Sequence, residues 1–230
     1  MFDIDIAAKI QRLALFAVPF LLGIVCHEVA HGYAAYLQGD PTAKNAGRLT
    51  LNPVKHFEPA GVLFFVVTAL LTPFVFGWAK PVPVNPRYFK NPRKGMLWVA
   101  LAGPGTNILL GFAFALGLKL CLMALGPGAS METDPIVVTL LYICVAGVAV
   151  NMILALFNLL PIPPLDGSNV VLSLLPRDMA MQYMAAGRYG FFIILLLAVT
   201  GVLWHIINPI LYFMMSVPFS LFNIPPDLFL

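Results

Sequence analysis

The chain has 230 residues, of which 60% are hydrophobic and 10% charged, with a mean hydropathy of +0.91; soluble domains carry about 25% charged residues. This balance excludes an ordinary water-soluble globule and points to an integral membrane protein. The net charge of +3 is small, and the Lys and Arg gather between apolar runs as membrane-flanking cations do, so nucleic acid is not an expected partner.

Five apolar stretches are candidates for insertion: residues 13–37, 59–77, 97–125, 136–160 and 190–217. At about 1.5 Å per residue, all but the second are long enough to cross a hydrocarbon core of about 30 Å as helices. The first is preceded by Asp3 and Asp5 and carries a histidine motif that signal cleavage would discard, so it reads as a retained segment. Next comes GRLTLNP, residues 47–53, in which Arg48, Thr50 and Asn52 alternate with Leu49 and Leu51. That is the period-two pattern of a short β-strand closed by a proline.

The second apolar stretch is bracketed by Pro59 and Pro73, as a re-entrant segment is. Residues 77–95 follow as a proline-rich, irregular, solvent-facing loop with Lys80, Arg87, Lys90, Arg93 and Lys94, expected on the cytoplasmic side. If the second stretch is re-entrant, ten of the thirteen Lys and Arg share that side; if it crosses, nine do. Charge alone does not choose between the two topologies. The loop with Glu132 and Asp134 is outside in both.

The three cysteines, Cys26, Cys121 and Cys144, lie in apolar runs without CxxC spacing and read as small packing residues. No repeat or soluble insertion interrupts the chain, so residues 1–230 read as a single membrane-embedded unit.

The chemistry begins at HEVAH, residues 27–31. On a helix, residues four apart share a face, so His27 and His31 can converge on one metal ion with Glu28 beside it as a general base. The alternative is a pair of satisfied core histidines, but two imidazoles and a carboxylate at membrane depth are costly without partners or a polar cavity. A catalytic zinc needs a third protein ligand and an open position. Asp3, Asp5, Asp40, Glu132, Asp134, Asp178 and Asp227 fall in terminal or loop stretches, which leaves Asp166 and Glu58, with His56 and His205 as nitrogen alternatives.

Asp166 stands out because it closes the run NLLPIPPLDG, residues 158–167. Pro161, Pro163 and Pro164 cannot continue a helix, and non-helical backbone at membrane depth is tolerated where it lines a protein-buried cavity. His205, between Trp204 and Ile206, reads as a packed or interfacial residue. Asn158 opens the same run as Asp166; its amide is a candidate donor to a developing oxyanion, or else a hydrogen-bonding group within the bundle. In LAGPGTN, residues 101–107, the small residues allow close helix approach, with Pro104 and Asn107 as candidates for shaping a polar cavity.

HEVAH, LAGPGTN and NLLPIPPLDG, in this order across residues 13–175, resemble the site-2 protease family of intramembrane zinc metalloproteases. The resemblance implies one Zn2+ per chain held by His27, His31 and Asp166. It implies Glu28 as activator of water, Asn158 as helper at the scissile carbonyl, and residues 47–53 as a strand that pairs with substrate. It further implies an all-α polytopic membrane protein, a bundle of about four to six transmembrane or re-entrant helices with a short membrane-associated β segment, in a prokaryotic inner membrane. The active site would lie nearer the cytosol and the substrates would be transmembrane proteins or peptides met in the lipid bilayer. The chain corresponds to a compact form without PDZ or nucleotide-sensing CBS modules. Competing expectations are a zinc-binding membrane protein without catalysis and an inactive membrane scaffold; substrate identity and oligomeric state are not readable.

Overall fold

Prolines divide the apolar sequence into helices. In the computed structural model, which describes residues 6–71, 77–125 and 134–225, three helices begin on a proline, where the missing N–H is one of those a helix start leaves unused. They are α3 (Pro59–Leu71), α4 (Pro92–Leu125) and α5 (Pro135–Asn158); α1 (Ile6–Leu37) and the short α2 (Thr42–Asn45) precede them. After the proline run come α6 (Asp166–Leu174), α7 (Arg177–Ala186), α8 (Gly190–Val199) and α9 (Val202–Phe222). Asp3, Asp5, Pro73, Glu132 and Asp227 lie outside the described residues.

By length and composition five helical stretches can cross a membrane: Leu13–Leu37, Pro92–Leu125, Pro135–Asn158, Arg177–Val199 and Val202–Phe222. The expected single stretch at 190–217 is corrected. It breaks at Gly201, whose left-handed φ of 78° ends α8 and opens α9, and the two candidate spans on either side of the break are Arg177–Val199 and Val202–Phe222. Phe191, Phe192, Leu196 and Val199 on α8 are exposed, as side chains facing lipid are.

The centre of the bundle is built from rows of residues spaced by four. On α1 the buried row is Pro19, Gly23, His27, His31 and Ala35; on α4 it is Gly95, Val99, Gly103, Asn107, Gly111 and Ala115. Such rows are the ridges by which helices interlock, and here most members are small, so the two backbones approach closely. A third row on α5, Gly147, Asn151 and Ala155, completes the seam. Beside it, Leu118, Val148, Met152, Met215 and Phe219 form an apolar core shared by α4, α5 and α9.

The described flanks of the second apolar stretch lie together. The Lys80 N–H donates to the His56 carbonyl at 3.0 Å, and a Cβ on Gly61 would come within 2.0 Å of the Trp78 carbonyl oxygen. Gly77 in turn lies against Phe65 and Phe20. Described residues on both sides of the stretch are therefore neighbours, as the re-entrant alternative requires.

The expected β segment at 47–53 is also corrected. Among the described residues there is no strand. Alternation specifies what a strand would present on each face, but a strand also needs a ladder partner. Here the local polar groups bond to one another instead: Thr50 Oγ1 accepts from the Asn52 N–H, and a ring nitrogen of His56 donates to the Thr50 carbonyl at 2.8 Å.

Candidate metal centre

His27 and His31 face α4 from the middle of α1, and α4 fixes both rings. The Nδ1 of His27 lies 2.6 Å from Asn107 Oδ1, and the Nδ1 of His31 lies 2.7 Å from the Val99 carbonyl oxygen. Both partners are acceptors, so both Nδ1 atoms carry the hydrogen and both Nε2 atoms present lone pairs. The orientation of Asn107 is itself determined. Its Nδ2 donates to the Gly23 carbonyl at 3.2 Å and to Asn151 Oδ1 at 3.0 Å, and Asn151 Nδ2 donates to the Gly147 carbonyl at 2.9 Å. Asn107 and Asn151 are fully buried, so this is a buried relay that couples α1, α4 and α5.

Asp166 comes from another part of the bundle. The prolines end α5, and α6 restarts on Asp166 itself, whose Oδ2 reaches 3.0 Å from His27 Nε2 and 3.2 Å from His31 Nε2. The two Nε2 atoms are 2.9 Å apart. Three lone-pair-bearing atoms thus converge with no hydrogen between them, and Asp166 Oδ2 is buried without a hydrogen-bond partner. A cation is what such a set accommodates. Ligands about 2.0 Å from a tetrahedral metal stand about 3.3 Å apart, close to the separations found. Among the described residues this is the one group of three or more candidate ligands that could hold a metal ion.

Gly103 closes the other side of the rings. A Cβ there would stand 2.6 Å from atoms of both imidazoles, so no larger residue fits unless the rings shift. Glu28, the residue after His27, accepts the Val82 N–H on Oε2 at 2.7 Å. Val82 belongs to the non-helical stretch 79–85, pinned at one end by the Lys80–His56 bond and at the other by the Asn85 N–H on Asp40 Oδ2, at 2.6 Å. Burial pushes the Asp40 carboxyl upward, but hydrogen bonds from Asn85 and Thr42 outweigh it and hold the group below the usual carboxylate range. The guanidinium of Arg48 donates to the carbonyls of Lys80 and Pro81.

The remaining candidates stand apart. Asn158, in the last turn of α5, donates its amide to the Leu154 carbonyl at 2.9 Å, within its own helix. His56 is committed to Thr50, Glu58 precedes α3, and the exposed His205 lies on α9; none joins the three-ligand group. Sequence reasoning singled out Asn107 without its ring partner, assigned Gly103 to general packing, and did not single out Asn151 or Val82. The spacing of four linking Val99, Gly103 and Asn107 was the signal available for the α4 residues.

The model of peptidase family M50 matches residues 121–199, a range that includes Asp166. A Bacillus subtilis (strain 168) protein named "Putative zinc metalloprotease YwhC" is 39% identical over 204 residues, covering 86% of this chain and 88% of the relative. The chain belongs to peptidase family M50. The Mycolicibacterium smegmatis protein "Putative zinc metalloprotease Rip2" is 28% identical over 190 residues, 82% of this chain and 68% of the relative. No solved structure is a significant match. M50 membership and the five apolar spans together make the chain a multi-pass membrane metalloprotease of the site-2 type, as its motifs implied.

Proposed function

We propose that this M50 peptidase holds one zinc ion on His27, His31 and Asp166 and hydrolyses peptide bonds within or near transmembrane segments of membrane proteins. The observation that carries the reading is the convergence of three lone pairs inside the bundle with a carboxylate, Glu28, one residue from the first ligand. His27 lies ten residues before Leu37, hence about 15 Å inside the end of α1. A substrate at that depth is a membrane segment.

Zinc at this position supplies the Lewis acid that activates water and polarises the scissile carbonyl. The chain supplies the rest. Asn107 and Val99 keep both rings in the tautomer that presents Nε2. Glu28 takes the proton of the attacking water and returns it to the leaving nitrogen. Asn158 donates to the oxyanion once its amide leaves the Leu154 carbonyl, a rotation at the end of α5.

Mere metal storage does not call for a non-ligand carboxylate beside the histidines, and Glu28 is therefore the residue to test. With Glu28→Gln, zinc stoichiometry is expected to stay at one per chain while cleavage of a membrane peptide falls at least about 100-fold. Cleavage that persists unchanged would sink the general-base role. Purified protein without stoichiometric zinc would sink the metalloprotease reading altogether.

A further inference from the structure

Val82 is the one backbone group in stretch 79–85 that is bonded to the proposed catalytic machinery. Pro81 and Pro83 on either side have no N–H to give, while the N–H groups of Lys80 and Asn85 are taken by His56 and Asp40. Arg48 holds the carbonyls of Lys80 and Pro81, and the Val82 side chain is buried against Gly32, one turn beyond Glu28 on α1. The stretch is tied at both ends and packed in the middle. Of the two partners in the Glu28–Val82 bond, the side chain is the one free to move.

From this geometry we infer that the Val82 N–H is a substrate-positioning donor, occupied by Glu28 in the free enzyme and transferred to a substrate carbonyl when Glu28 turns to the attacking water. The inference rests on the protease reading above. When Glu28 leaves, Val82 would keep a buried donor without a partner, which is costly. A helical substrate that is locally unwound brings carbonyls that have lost their own partners. The exchange satisfies both, and it sets the substrate backbone within hydrogen-bonding reach of the group that Glu28 has just vacated. No bond is made or broken in this step; one acceptor replaces another. Residues 47–53, expected to pair with substrate, form no strand here, and Val82 offers the backbone contact from the neighbouring stretch.

The test uses the full chain in lipid nanodiscs, stripped of zinc so that binding is read without turnover. The probe is a fluorescent leucine- and alanine-rich transmembrane peptide with lysine ends and a central Asn-Gly pair that weakens its helix. In the Glu28→Ala background, where no acceptor competes for the donor, Val82→Pro removes the N–H and is expected to weaken binding about threefold to tenfold, the worth of one hydrogen bond, whereas Val82→Ala, which keeps the N–H, stays within about twofold. Glu28→Ala uncovers the donor and is expected to tighten binding about threefold to tenfold, while Glu28→Gln, which still offers an oxygen, stays within about twofold. Adding Val82→Pro to Glu28→Ala should erase the gain. Equal losses from Val82→Pro and Val82→Ala, no gain from Glu28→Ala, or no binding by any variant overturns the inference. Should Val82→Pro fail to fold, the contrast between Glu28→Ala and Glu28→Gln still decides. Failure of the zinc-loaded wild type to cleave overturns the protease reading instead, and the binding ratios continue to judge Val82.

Discussion

A single amide at Asn107 governs which nitrogen His27 offers to a metal. With Asn107→Ala the ring loses its acceptor, and Asn151 Oδ1 and the Gly23 carbonyl lose their donor. Zinc affinity, measured by competition with a chelator, is expected to fall about 10–100-fold, the range found when the outer partner of a ligating histidine is removed. Asn151→Ala, one bond further from the ring, should cost less than about tenfold on the same assay. Equal affinities for wild type and Asn107→Ala would show that the ring is oriented by packing alone. His27 and His31 were legible because four-residue spacing on one helix fixes their common face whatever surrounds it, and Glu28 by its place beside His27. Asn107 and Gly103 were only half legible: their row shows a close-packed face, but one sequence does not say which helix lies opposite.

At the level of elements, the third ligand depends on a turn that has little regular structure of its own. Residues 161–164 are braced from the following helices: Tyr183 Oη donates to the Pro161 carbonyl at 2.8 Å, and Gly190 lies under the Pro163 carbonyl. A Cβ on Gly190 would stand 1.7 Å from that oxygen, whereas one on Gly187 would meet only the Pro163 side chain at 3.2 Å. Gly190→Ala must therefore push α8 off the turn that leads to Asp166. It is expected to lower stability by about 1–3 kcal/mol, as overpacking does, and to loosen zinc as well, with Gly187→Ala much milder. Thermal unfolding and chelator competition on both variants read this out; parity between them would refute the brace. The proline run announced the break and the position of Asp166, but its brace could not be read, since it depends on which later glycine meets which carbonyl. The same reason explains residues 47–53, where alternation described a strand and the fold supplied no partner for it.

For the molecule as a whole, the decisive question is how many times the chain crosses before α4. Residues 45 and 90 flank the second apolar stretch in exposed positions, and charge counting left the two topologies ten against nine. The contact of Trp78 with Gly61 and the bond from Lys80 to His56 bring the two flanks together, so α3 enters and the chain leaves on the same face. That places Lys44, Arg48 and Lys55 with the five cations of the following loop, in keeping with the excess of positive charge on the cytoplasmic side. It also makes structural sense of stretch 79–85. Only a chain that returns to the face it left can lay Val82 against Glu28 while Arg48, from before the re-entrant segment, holds the carbonyls next to it. With Cys26, Cys121 and Cys144 replaced by serine, Asn45→Cys and Lys90→Cys are each expected to react with an impermeant maleimide only from the cytoplasmic face of oriented vesicles. Labelling from opposite faces would mean that the second stretch crosses, and the anchoring of Val82 beside the metal centre would fall with the topology.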